Sequence, residues 1–190
     1  DGMSKPLHAA HAAETGVMAT IAASKGVTGA LDVLEGPAGM GAAMSGNANW
    51  RKATSGLGKI YNIEAITFKN HGCCGHTFAA IDGLLFIMQD AQITANDIAN
   101  IAIATYGPAV SITDRVDPKT PQECKFSMQY VLAHAAHYGS VRIEAFEAER
   151  ISDPATRAML GQIDLSIDPA VDAEFPARRA AHISVTTKDG

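Results

Sequence analysis

Cysteine is scarce in this chain: three in 190 residues, with Cys73 and Cys74 adjacent and Cys124 apart. An odd, clustered set of that kind excludes a disulfide framework and points to a reducing, cytoplasmic setting. Aromatic residues are also few, at 6% with a single Trp, so the core has to be assembled from aliphatic side chains and closely packed, alanine-rich helices. Basic clusters are missing. Lys and Arg total 15 against 20 Asp and Glu, and the net charge is −5, which argues against a nucleic-acid face or an anionic-membrane surface. No stretch approaches the roughly 18 consecutive apolar residues of a membrane span. What is present is 47% hydrophobic and 18% charged, a composition that can bury the core of one ordinary domain or of one and a half small ones.

Local signals divide the chain. Residues 4–26 read as a helix, with Ser4 as cap, Pro6 in the first turn, Gly26 as stop and Leu7, Ala10, Val17 and Ile21 at helical spacing. A stretch rich in Gly, Ala, Met, Ser and Asn follows to Gly58, read as short helices and loops. Strand composition then appears at Ile63–Phe68, at Ile101–Tyr106, in the alternation of Ile163, Leu165 and Ile167, and in that of Ala181, Ile183 and Val185. Between these lie a helix with Phe78, Ile81, Leu84, Leu85 and Met88 on one face, and a helix opened by Thr120-Pro121-Gln122-Glu123 and stopped by Gly139. Thr94 with Asp97 offers a further capping box, and Ser152-Asp153-Pro154 opens a shorter helix. The expected fold class is α+β: helical over residues 1–60, then a smaller α/β unit over 61–190 with about four strands. Lys188-Asp189-Gly190 reads as a tight turn after a strand, so a returning strand is expected and the chain reads as a piece of a longer protein.

The densest chemistry lies in Lys69-Asn70-His71-Gly72-Cys73-Cys74-Gly75-His76, between a strand and a helix. A zinc site would use its Cys and His side chains, although adjacent cysteines rarely converge on one tetrahedral ion and no second ligand pair stands elsewhere. A cysteine nucleophile would gain from the helix N-terminus and a neighbouring histidine. An anion-binding catalytic loop would use Gly72 and Gly75 for close backbone approach, the helix N-terminus for a carboxylate, and Lys69 and His71 for charge or a proton. A tight cysteine-rich turn around a buried histidine, with no catalytic duty, fits the same residues. Lys5 is a second candidate, because a lysine in the first turn of a helix opposes its dipole. His8 and His11 can share a face beside it. Lys125 and the pair His134 and His137 read as surface or packing residues, and the run Gly39–Gly46 does not match a dinucleotide fingerprint.

Taken in order, these segments resemble the MmgE/PrpD family. The resemblance is carried by Lys5-Pro6-Leu7-His8, Gly26-Val27-Thr28-Gly29, Asp32–Gly36, Lys69 with Cys74 and His76, Ile81-Asp82, Pro121–Ser127 with Tyr130 and Gly139, and Ser152-Asp153-Pro154. It implies a large helical domain and a smaller α/β domain with the active site in the cleft between them, and a homodimer of the full-length protein. No metal or organic cofactor is implied, and the substrates are small citrate- or aconitate-like polycarboxylic acids. Lys69 and His76 would then be catalytic, and Lys5, His8, His71, Cys73 and Cys74 substrate-binding. The reaction implied is that of a lyase, dehydration first, with decarboxylation or epimerisation from the same carbanion-like state as alternatives. An Asp- and His-bearing segment that could supply acid–base groups is expected upstream of residue 1. A truncated, non-catalytic polycarboxylate-binding relative and a redox protein using Cys73 and Cys74 are the competing readings; no role carries over to Tyr106.

Overall fold

The computed structural model describes residues 4–190, which divide into two compact units meeting in sequence at Phe68 and Lys69. The first holds helix α1 (Ser4–Ser24), two short helices, α2 (Met40–Met44) and α3 (Trp50–Thr54), and loops between them. Gly26, at φ +93, ends the turn after α1 in a conformation that glycine adopts without strain. The apolar series of α1 stays exposed, and no described residue of that helix is buried. The expected strand at Ile63–Phe68 does not form. Asn62–Ala65 is a 3-10 turn followed by loop, with Ile63 72% and Phe68 91% exposed. A β-rich run becomes a strand only where a neighbour completes its backbone ladder, and none of the described strands pairs with this one.

The second unit is built on strand β1 (Ile98–Thr105), which has β2 (Ile163–Ile167) on one side and β3 (Ala181–Thr187) on the other. β2 runs parallel to β1, with Ile101 opposite Ile163 and Thr105 opposite Ile167. β3 runs antiparallel, bringing Ala181 opposite Thr105. The sheet therefore has three strands where four were expected, and the class remains α+β. Helices α4 (Phe78–Asp90), α5 (Gly107–Thr113), α6 (Pro121–Cys124) and α7 (Met128–Tyr138) follow in chain order, then α8 (Ala148–Ile151), α9 (Pro154–Met159) and α10 (Pro169–Ala173). Ile81 and Leu84 of α4, Ile101 and Ile103 of β1, and Tyr130, Val131 and Leu132 of α7 share one buried cluster. Gly83 lets α4 lie close on the sheet, since a Cβ there would collide with Ile183 Cδ1.

Local signals fix several element ends. Thr94 and Asp97 form the capping box ahead of β1, Thr120 and Glu123 that of α6, and Asp153 caps α9. Gly139, at φ +69, stops α7 as expected. One long helix from Thr120 to Gly139 was expected, and two are found. Ser127 breaks it: its hydroxyl donates to the Arg115 carbonyl at 2.6 Å and accepts from Tyr130 N–H at 3.0 Å, capping the start of α7. The break frees the Lys125 carbonyl for another partner. Among the described residues no helix is long and apolar enough to cross a membrane. Leu84 is fully buried between α4 and the rest of this cluster, so Leu84→Ala should cost about 2–5 kcal/mol in urea unfolding. A loss under about 1 kcal/mol would show that this cluster is not the core.

Candidate active site

The loop Lys69–Gly75 is tied down at several points. Arg142 Nη1 donates to the Asn70 carbonyl at 2.6 Å, Gly72 N–H to the Val141 carbonyl at 2.8 Å, and Cys74 N–H to the freed Lys125 carbonyl at 2.9 Å. Gly72 is needed for this approach, because a Cβ there would press on Phe146 and on the Arg142 backbone at 3.3–3.4 Å. Lys69 Nζ donates to the Cys73 carbonyl across the turn at 3.2 Å while the residue stays exposed. The loop then runs through a 3-10 turn, Gly75–Thr77, into α4, where Thr77 Oγ1 donates to the Cys74 carbonyl at 2.8 Å.

His71 and Cys73, both expected to touch substrate, are buried at 5% and 3% exposure. His71 Nε2 lies 2.9 Å from Asp82 Oδ1 and its ring packs edge-on against Phe78, so it fastens the loop to α4. Cys73 Sγ lies 3.1 Å from Thr77 Oγ1, and burial, first of all, pushes its thiol up to about 11. Burial likewise pushes Cys124 up to about 12. Neither is a poised thiolate at neutral pH, and the nucleophile and redox readings lose Cys73. Among the described residues no group of three His, Cys, Asp or Glu side chains could hold a metal ion, so the zinc reading lacks a ligand set. Cys74 is half-buried beside Tyr106. Lys5 and His8 stand exposed on α1, in the first unit.

His76 is where the loop meets the sheet. Its Nδ1 lies 2.8 Å from the hydroxyl of Tyr106, the residue that directly follows β1. Tyr106 is 1% exposed and stacks on Phe175 with ring centres 4.8 Å apart. Desolvation, reinforced by the Arg179 guanidinium, holds the imidazole of His76 below its ordinary 6.5. Desolvation also raises Tyr106, with Arg179 opposing it. Both groups are therefore neutral near pH 7. In one tautomer His76 Nδ1–H donates to the tyrosine oxygen and Nε2 carries the lone pair of a base. In the other, the tyrosine hydroxyl donates to Nδ1 and Nε2–H is an acid. One pair can thus accept a proton and return it. Sequence reading found His76 but not Tyr106, Phe175 or Arg179. The one available signal was position, as Tyr106 ends the strand next to a glycine and a helix start.

These groups gather where β1 and β2 end and β3 begins, and the carboxyl ends of parallel strands are where open α/β sheets commonly hold small ligands. The arrangement defines an α+β unit preceded by a helical segment. Residues 71–190 match the MmgE/PrpD C-terminal domain and residues 1–53 the MmgE/PrpD N-terminal domain, and the chain belongs to the MmgE/PrpD family. It is 27% identical to a cis-aconitate decarboxylase of Mus musculus and 26% to one of Homo sapiens, each over 98% of this chain and 39% of the relative. It is 31% identical to a 2-methylcitrate dehydratase of Cupriavidus necator over 51% of this chain and 21% of that protein. The chain spans about two-fifths of the length of the decarboxylases it matches. Burial of the thiols gives a direct check: under native conditions at pH 7–8 a thiol reagent should modify Cys74 and spare Cys73 and Cys124 until the protein unfolds. Fast native labelling of Cys73 would contradict the packing.

Proposed function

We propose that this chain is part of a cofactor-independent lyase acting on a citrate- or aconitate-like polycarboxylic acid, with proton transfer next to a carboxylate at His76. The observation that carries the reading is the His76–Tyr106 hydrogen bond in a cationic setting. A neutral imidazole with one nitrogen engaged has the other available for a substrate proton. The family membership and its decarboxylase and dehydratase relatives support the substrate class.

In the dehydration sense, His76 Nε2 takes the proton from the carbon α to a carboxylate, and the C–H electron pair passes into that carboxylate as an enolate. The enolate collapses to a C=C bond as the neighbouring C–O bond breaks, and the hydroxide leaves as water with the proton that His76 Nε2 had taken. Lys69 would neutralise the enolate charge. Its bond to the Cys73 carbonyl holds the amine at the loop while leaving two N–H groups for the acid. A second reading, decarboxylation, is favoured by the decarboxylase relatives that match nearly the whole chain. There the bond to a carboxylate carbon breaks, CO2 leaves, and the carbon takes the proton of His76 Nε2–H as the Tyr106 hydroxyl passes its own proton to Nδ1. Lys5 and His8 are proposed as further substrate contacts on the family resemblance alone. Residues 1–60 are proposed as part of the large helical domain and 61–190 as the smaller one, in keeping with domain matches that stop at 53 and resume at 71.

In the intact protein, His76→Gln and Lys69→Ala should each lower kcat for the acid substrate by roughly 10²–10³-fold. Wild-type kcat/KM should fall on the acid side with a midpoint below 6.5, because protonation removes the base and both desolvation and Arg179 depress its pKa. Variant turnover within a few-fold of wild type, or a midpoint above 6.5, overturns the assignment.

A further inference from the structure

Two adjacent arginines precede β3, and they are used differently. Arg178 Nη1 is 3.0 Å from Glu174 Oε2 and is committed to that ion pair. Arg179 is exposed, and among the described residues no carboxylate lies within ion-pair distance of it. Its backbone neighbourhood is nevertheless fixed at the end of β1. Thr105 Oγ1 donates to the Ala180 carbonyl at 2.8 Å, and Ala181 is paired with Thr105. From there the side chain reaches the turn that carries His76: Arg179 Nη1 stands 3.9 Å from where a Cβ on Gly75 would be. Because residue 75 is glycine, no side chain fills the space between the guanidinium and the start of α4. No side chain caps that helix.

A charged fork held beside a proton-transfer histidine, with no anion of its own, fits one ligand group: a carboxylate taken bidentately. We propose that Arg179 is a substrate-binding residue of this site, its guanidinium gripping one carboxylate of the polycarboxylic acid whose proton His76 handles. The proposal deepens the lyase reading and rests on it for the identity of the acid. It adds a cation from the β3 side of the site, distinct from Lys69 on the loop, so two carboxylates of one substrate could be held by separate groups. Through its charge, Arg179 also helps to keep His76 unprotonated before substrate arrives.

The test compares wild type, Arg179→Gln and Arg179→Lys in the intact protein, by steady-state kinetics on the acid turned over and by calorimetry with citrate. Loss of one charge-assisted carboxylate contact should raise KM and weaken citrate binding roughly 10- to 100-fold in Arg179→Gln, with kcat changed by less than about threefold. Arg179→Lys, which keeps the charge but not the fork, should recover part of the affinity. A glutamine variant that binds citrate within twofold of wild type, or one that loses kcat at unchanged KM, overturns the proposal. Wild-type protein that binds citrate through Arg179 yet turns over no such acid would sink the lyase reading while upholding the carboxylate grip. Wild-type protein that binds no citrate overturns both.

Discussion

The hydrogen bond between His76 and Tyr106 joins the Lys69–His76 loop of the second unit to its sheet. One partner comes from a loop, the other from the end of the central strand. Tyr106 is buried and braced by Phe175, so its hydroxyl is a fixed point rather than a mobile surface group. A buried hydroxyl must find a partner or lose the free energy of its hydration. Meeting that demand with an imidazole nitrogen fixes the ring orientation and leaves Nε2 for a ligand. The depressed pKa of His76 then follows from its half-buried position and from the positive charge of Arg179.

The loop can deliver His76 only because its backbone groups are satisfied elsewhere in the unit. Gly72 N–H is paired with Val141, and Cys74 N–H with Lys125. The second of these depends on the interruption between α6 and α7, which exposes a carbonyl that a continuous helix would have used internally. His71 and Cys73 complete the attachment from inside, through Asp82 and Thr77. The eight residues from Lys69 to His76 thus divide their labour. The buried His71 and Cys73 hold the loop, and the more accessible Lys69, Cys74 and His76 face outward from it.

That division explains what the sequence could and could not reveal. Caps and stops are short-range physics, and Thr120 with Glu123, Asp153 with Pro154, and Gly139 were all legible. The alternating strands β1, β2 and β3 were legible too, since each presents an aliphatic face to the core. Ile63–Phe68 has the same composition and is not a strand, because pairing is decided by distant neighbours. The split at Ser127 was hidden because its hydroxyl answers to Arg115, 12 residues away. In the site, residue type marked the Lys69–His76 loop but not which side chains turn inward. Tyr106 is 30 residues from His76 in sequence, and Arg179 meets Gly75 only through the pairing of β3 with β1. Neither partnership could be read from local pattern.

We propose, as the central claim, that a tyrosine-held, neutral His76 moves a proton at a carbon beside a carboxylate. Its most direct measurement is deuterium incorporation into citrate- and aconitate-like acids incubated with the intact protein in D2O, followed by proton NMR, in wild type and in Tyr106→Phe. Wild type should place deuterium at the carbon α to a carboxylate in substrate or product. Tyr106→Phe, which keeps the stacked ring and removes the hydroxyl, should slow incorporation by roughly tenfold or more. No incorporation by wild type with any of these acids, or equal rates in the two proteins, would contradict it.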